Sequence, residues 1–244
     1  MTHLIFGASA GVGRALAEQF AASGHDLILV SSDERDLRAM TADLVIRYGV
    51  NVVFVAAELA DGDGYLDRIT EAANEMGGIG GMLFPVGANV SLDDCTFDPE
   101  RVAWITRVNY EAVVSAVTRF LPELTTRSQS TIVAFGSVAA VRGRGRNVAY
   151  SAAKRALQTF FESLRHTCSQ SRVNVQFYVL GYMDTGLARN LRSLIRKGDP
   201  HALSRKVLRN LHRDIGVVYY PSFWAVLSIV IRRMPWWIFK RMSF

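Results

Sequence analysis

The sequence predicts an α/β fold: a doubly wound parallel sheet in a single domain, with a mostly helical C-terminal extension. Two observations carry this. Short apolar runs with strand character alternate with helix-like segments from the first residues to about residue 180. The first run, residues 3–6, passes directly into a turn with Gly7, Gly11 and Gly13. The length agrees, because 244 residues, half of them apolar, suit one large core better than two small ones.

Thr2-His3-Leu4-Ile5-Phe6 is brief and has no basic flank, so it reads as a buried strand rather than a signal peptide. Residues 14–23 follow as a helix, with Ala15, Leu16, Ala17 and Phe20 supplying apolar contacts and Gly24 placed to end it. Leu27-Ile28-Leu29-Val30 is a second strand, apolar throughout as a strand covered on both faces must be. A helix over 37–48, a strand over 51–57, a helix over about 63–76 and a strand over 81–86 come next. A long helix spans 99–124, a fifth strand 131–135, a helix 149–170 and a sixth strand 173–180. There is no internal repeat, linker or low-complexity stretch. The seam falls near residue 188, with 1–188 as the core and 189–244 as an extension of the same domain.

Charge divides at that seam. Residues 1–188 carry 16 Lys+Arg against 20 Asp+Glu, and residues 189–244 carry 12 against Asp199 and Asp214. The net +6 therefore belongs to the C-terminal region, which suits an anionic membrane, a phosphorylated substrate or simple solvation. Nucleic acid is not expected, because these helices carry no recognisable reading motif. Cys95 and Cys168 form no motif, and His3, His25, His166, His201 and His212 show no ligand spacing. No metal is expected, and a reducing, cytoplasmic setting follows.

The turn Gly7-Ala8-Ser9-Ala10-Gly11-Val12-Gly13 sits between a strand and a helix. Glycine permits a tight turn and close approach of backbone to a pyrophosphate, while the helix start offers free N–H groups. With G-x-x-x-G-x-G come Tyr150-Ser151-Ala152-Ala153-Lys154, Gly136-Ser137 ending a strand, and Val108-Asn109-Tyr110 in the long helix. This ordered set, covering residues 3 to about 188, resembles the short-chain dehydrogenase/reductase family. The resemblance implies a Rossmann-like, dinucleotide-binding catalytic core and an NAD(P)(H)-dependent oxidoreductase acting on carbonyl and secondary alcohol.

Tyr150 and Lys154 stand four apart on one helix face. A tyrosine ordinarily titrates near pH ~10, and the lysine and the positive nicotinamide are expected to favour its phenolate for acid/base work. By resemblance, Ser137 holds the substrate oxygen, Lys154 also holds the nicotinamide ribose, and Asn109 positions a water in a proton relay. The expected cofactor contacts are Gly7, Ser9, Ala10, Gly11, Val12, Gly13, Ser31, Ser32, Arg35, Glu58, Leu59, Gly87, Tyr150, Lys154, Gly181 and Thr185.

Several positions depart from the family pattern. Its N-N-A-G stretch is Pro85-Val86-Gly87-Ala88, with Asn89 following, and its P-G motif has lost the proline before Gly181. Ser32 stands where an NAD-selecting acid or NADP-selecting arginine is expected, and Ala10 replaces the glycine-turn base of many NADP users. Ser31, Ser32 and Arg35 suit a 2′-phosphate and Asp33 opposes one, so the balance favours NADP(H) slightly over NAD(H).

Arg142-Gly143-Arg144-Gly145-Arg146 lies between Ser137 and Tyr150, so Arg142, Arg144 and Arg146 are candidate substrate contacts, with Tyr182 across the cleft. In the tail, an apolar run from Phe223 to Ile231 leads into Arg232-Arg233-Met234-Pro235-Trp236-Trp237-Ile238-Phe239-Lys240. It is short of the ~20 residues that span a bilayer, yet its tryptophans beside cations suit an interface. A substrate lid or a subunit contact reads equally well. This ending is similar to that of envelope-sugar reductases acting on decaprenylphosphoryl keto-pentoses, which implies a lipid-linked or phosphorylated sugar and a peripheral position at the inner membrane face. The alternatives are a small lipophilic ketone, steroid, polyol or acyl thioester, or a non-catalytic cofactor-sensing scaffold. By family resemblance, a homodimer through helices 99–124 and 149–170 is expected. The family's closing C-terminal strand is not evident.

Overall fold

The computed structural model describes residues 1–88, 98–185 and 197–242. Asn89, Cys95 and the basic segment 189–196 lie outside the described residues.

The first six strands arise where the apolar runs are. They are β1 (Thr2–Phe6), β2 (Asp26–Ser31), β3 (Val52–Ala56), β4 (Ile79–Phe84), β5 (Ser130–Ser137) and β6 (Val173–Leu180). All pair in parallel, in the order β3-β2-β1-β4-β5-β6-β7. Side chains alternate between the two faces. Leu4 and Phe6 of β1 enter the core on one face, beside Phe84, Phe161 and Phe177. Ile5 enters the core on the other, beside Leu16, Phe20 and Leu29. Strand order reverses between β1 and β4, which opens a crevice at their C-terminal ends.

Helices α1 (Gly11–Ala21), α2 (Glu34–Tyr48) and α3 (Tyr65–Glu75) follow the first three strands. Gly49 ends α2 in the left-handed conformation, as an αL cap requires. The long helix predicted over 99–124 is present and runs from Pro99 to Thr126; the correction is the π-turn over Arg107–Glu111 that divides it into α4 (Pro99–Thr106) and α5 (Ala112–Thr126). One extra residue in that turn changes which faces point inward, and no local sequence signal marks it. The helix α6 (Val148–Thr167) carries Tyr150 and Lys154.

A second correction concerns the C-terminal region. Helix α7 (Pro200–Arg209) starts on an Asp199 cap, which accepts from the N–H groups of His201 and Ala202, and packs Leu203 and Val207 into the core beside α1. It is followed by β7 (Val217–Tyr220), which pairs with β6 from Phe177–Val217 to Leu180–Tyr220. The closing strand is thus present. It was hidden because a run of only four residues, Val217-Val218-Tyr219-Tyr220, is too short to be told from a buried turn of helix. Beyond it come α8 (Phe223–Arg233) and α9 (Trp236–Phe239). Among the described residues, no helix is long and apolar enough to cross a membrane.

At the opposite end of β1 from the crevice, His3 is buried with its ring 4.9 Å from that of Phe20 and 4.8 Å from that of His25. Neither ring nitrogen has a hydrogen-bond partner. Burial first, then the charges of His25, the N-terminus and His212, lower its pKa from 6.5 to about 3. A group whose folded pKa is depressed in this way loses stability as pH falls below 6.5 towards 3, because only the unfolded chain takes the proton. At pH 5 the cost is about 2 kcal/mol. Equilibrium unfolding between pH 7 and 4.5 is expected to be steeper in pH for the wild type than for His3→Leu, by about one proton; equal slopes would show that His3 is not the group.

Candidate active site

The glycine turn is shaped by what its residues lack. A Cβ on Gly13 would stand 1.9 Å from the Gly7 carbonyl oxygen, so α1 can start this close to the end of β1 only with glycine there. Gly7 and Gly11 hold φ of 63° and 52°, where side chains are disfavoured. Ala10 at the N-cap supplies no side-chain cap to α1, which leaves the first N–H groups open to an anion. Ser9 Oγ lies 2.7 Å from Ser31 Oγ and ties the turn to the end of β2. Val12 packs on the core beneath.

Across the switch point, β4 gives way to Pro85-Val86-Gly87-Ala88. A Cβ on Gly87 would meet nothing within 4 Å, so this backbone borders open space. Asn109, fully buried, holds it from the π-turn. Its Oδ1 accepts from the Ala88 N–H at 3.2 Å, and its Nδ2 donates to Ala88 O at 2.7 Å and Ile105 O at 2.9 Å. Lys154, 2 % exposed, donates from Nζ to Val86 O at 2.6 Å and Phe135 O at 3.1 Å. A turn with glycine at its three tightest positions, an uncapped helix start and a glycine beside open space together fit a dinucleotide pyrophosphate and its ribose.

Ser137 ends β5, accepts from the Ala139 N–H at 3.1 Å, and is hydrogen-bonded to Tyr150. Burial pushes the Tyr150 hydroxyl up, opposed by Ser137 and by the positive charge of Arg144. Burial also lowers the Lys154 ammonium to about 7. Its Nζ sits 6.0 Å from the Tyr150 ring centroid. Arg144 thus adds its positive charge at Tyr150 to the help expected from Lys154 and the nicotinamide.

The other predicted residues are spread along the crevice and beyond it. Ser32 is exposed, and Arg35 reaches only to 3.9 Å from Asp36. Asp33, which weighed against a 2′-phosphate, accepts from the Asp36 N–H at 2.9 Å and caps α2. Glu58 is exposed beyond β3, its Oε1 3.4 Å from the Ala60 N–H, and Leu59 packs on the core. Thr185 reaches back to the glycine turn, its methyl 3.1 Å from where a Cβ of Gly11 would be. A Cβ on Gly181 would meet the Trp224 indole nitrogen at 1.9 Å, and Tyr182 meets the Trp224 ring edge-on at 5.7 Å. The three arginines part company. Arg142 donates to Ile231 O at 3.0 Å and to Met234 O, and lies 4.1 Å over the Phe239 ring. Arg144 faces Tyr150, and Arg146 is exposed.

Two residues escaped the sequence reading. Arg14, just past the third glycine, donates from Nε to Ser9 O at 2.9 Å and pairs with Asp36 at 3.2 Å. Its place in the turn was the available signal. Trp224, buried against Gly181 and Tyr182, reaches this loop from far along the chain, and nothing local marks it.

The family model described as short chain dehydrogenase matches residues 2–195. The chain is 30% identical to a hydroxysteroid 11-beta-dehydrogenase 1-like protein of Macaca fascicularis, over 95% of this chain and 82% of that one. The Xenopus tropicalis protein of the same name is 28% identical, over 75% of this chain and 64% of its own length. Among solved structures, a short-chain dehydrogenase from Sphingobium yanoikuyae in complex with NADPH matches with a TM-score of 0.82 and 25% identity, over 100% of this chain and 96% of that one.

Gly13→Ala is expected to cost about 3 kcal/mol of stability, because the new methyl meets backbone that cannot step aside. Denaturant unfolding reads the loss and nucleotide fluorescence reads the accompanying loss of cofactor binding. Unaltered values for both would mean that the turn opens freely.

Proposed function

This chain belongs to the short-chain dehydrogenase family and is an oxidoreductase; on that premise we propose that it interconverts a carbonyl and a secondary alcohol with NADP(H), using Tyr150 as general acid and base. The observation that carries the reading is the junction of Ser137, Tyr150 and Lys154 beside the glycine turn, at the ends of β4 and β5. The bound nicotinamide supplies or takes the hydride. Ser137 holds the substrate oxygen against Tyr150. For reduction, Tyr150 gives its hydroxyl proton to that oxygen; for oxidation it takes one back. In its ammonium form Lys154 has three donors, of which Val86 and Phe135 use two, so one remains for the nicotinamide ribose. Asn109 fixes the backbone that receives Lys154, and we assign a water behind that lysine as the proton's route to solvent.

Arg14 and Arg35 both approach Asp36, beside the linked Ser9 and Ser31. With Asp33 engaged as a helix cap, this end of the crevice suits a 2′-phosphate, and we read the cofactor as NADP(H).

For the substrate, our reading is a lipid-linked or phosphorylated keto-sugar met at a membrane face. Support comes from Arg144 beside Tyr150 and from exposed tryptophans and cations on α8 and α9. A lipophilic ketone such as a steroid is the second reading, favoured by the names of the relatives. It needs no phosphate-binding cation, so a KM for a phosphate-free ketone left unchanged by Arg144→Gln, whatever the change in kcat, would favour it.

Tyr150→Phe is expected to lower kcat about 10²–10⁴-fold while leaving cofactor affinity within about twofold. Full turnover by that variant overturns the mechanism. Arg14→Ala is expected to weaken NADPH about tenfold and leave NADH unchanged in a titration of intrinsic fluorescence. An equal loss for both nucleotides would remove Arg14 from the 2′-phosphate.

A further inference from the structure

A cavity of about 910 Å³ lies beside the catalytic crevice rather than in it. Its wall on α6 is Val148, Ser151, Ala152 and Arg155, at the spacing of one helix face. Tyr150 and Lys154 lie on another face, with Leu157 and Phe161 continuing it into the core. At about 100° per residue, the cavity wall is roughly 100° to 200° around α6 from Tyr150. The remaining wall is the segment from Ala140 to Gly145, together with the end of α8 and α9.

The lining chemistry is two-sided. Arg155, Arg232 and Lys240 bring three cations, Arg144 borders both this cavity and the crevice where it acts on Tyr150, and among the described residues no carboxylate lines the cavity. No acidic residue occurs anywhere after Asp214. Trp236, Phe239, Met242 and Val141 supply the apolar part. Next to the opening the surface stays apolar. Val226, Ile229 and Val230 are 68%, 55% and 52% exposed on the outer face of α8, and Trp236 and Trp237 are 65% and 60% exposed on α9. Arg142 holds this arrangement in place by donating to the carbonyls that close α8 and by stacking on Phe239.

We propose that this cavity is a second ligand site, distinct from the catalytic crevice, that takes the phosphate headgroup of an anionic membrane phospholipid. Forked guanidinium groups match phosphate oxygens, and the cavity's apolar wall together with the exposed face of α8 continues the site along an acyl chain. A free phosphate leaves that apolar part unused. A zwitterionic head places its own cation among three others. The proposal rests on the interfacial reading of α8 and α9 but not on the catalytic roles assigned above.

The test uses the full chain and a short lipid that stays monomeric. Dihexanoylphosphatidylglycerol below its micelle concentration is expected to bind, read by calorimetry and by tryptophan fluorescence. Arg155→Glu and Lys240→Glu are expected to weaken it at least tenfold, and Arg155→Lys to keep it. Unchanged NADPH affinity shows that the variants fold. Equal binding of dihexanoylphosphatidylcholine or of glycerol phosphate overturns the proposal, as does wild-type affinity in both charge-reversed variants. Affinity that falls as protein concentration rises shows that a second copy of the chain fills the cavity instead. Pelleting with phosphatidylglycerol vesicles separates the two readings: if the variants pellet like the wild type but no longer bind the monomer, the cavity holds lipid beyond mere surface attraction. If they pellet and bind the monomer like the wild type, the interface stands and the site falls. Tyr150→Phe should bind the lipid normally, so loss of turnover and loss of lipid binding remain separate results.

Discussion

One buried ammonium sets the geometry on which the crevice depends. Lys154 reaches from α6 to the carbonyls of Val86 and Phe135, and so joins the C-terminal ends of two neighbouring parallel strands to one helix. A charge so far from water is costly, and that cost is why the group titrates near 7 rather than in the usual lysine range. The same contact makes the backbone beyond β4 a fixed rim rather than a loose loop. Asn109 secures Ala88, two residues further on, from the π-turn. Position and charge at Tyr150 are then set by neighbours on different elements: Ser137 from β5 and Arg144 from the loop preceding α6.

The parts of this arrangement differ in how plainly they stand in the sequence. Strands β1, β2, β4, β5 and β6 are legible because both their faces are buried, which forces apolar runs. The glycine turn is legible because Gly13 answers a steric demand that acts between residues six apart. The edge strand β7 is not, since its four residues are only partly covered and its partner β6 ends 37 residues earlier in the chain. The spacing of Tyr150 and Lys154 showed that they share a helix face, but a further positive charge at the tyrosine comes from Arg144, whose approach is a matter of loop folding. Asp33 shows the same limit from the other side. As a letter it was an obstacle to a 2′-phosphate, and as a side chain it is a helix cap.

The seam near residue 188 marks a change of composition, not a boundary of the core. Residues 200–220 return to the sheet: α7 packs against α1, Gln176 and Thr131 donate from within the sheet to the turn that follows α7, and β7 pairs with β6. Among the described elements of this region only α8 and α9 stand outside it, and even they are tethered by Arg142 to the segment that carries Arg144. A residue that reads in the sequence as one of three equivalent substrate arginines is therefore the tether between the apolar tail and the catalytic loop.

The π-turn over Arg107–Glu111 has a consequence for reading helices as stripes. Along α4 the inward face is set by one count of residues; one surplus residue in the turn advances the helix by about a quarter revolution, so α5 starts on a new phase. Ile105 belongs to the first phase, and Ala112, Val113, Ala116, Val117 and Phe120 belong to the second. Asn109 falls where the count slips, and for that reason a polar amide sits at full depth without interrupting either apolar stripe. In the letters, Ile105, Val108, Ala112, Val113, Ala116, Val117 and Phe120 keep one plain helical spacing, so the slip belongs to the backbone and leaves no trace in the periodicity.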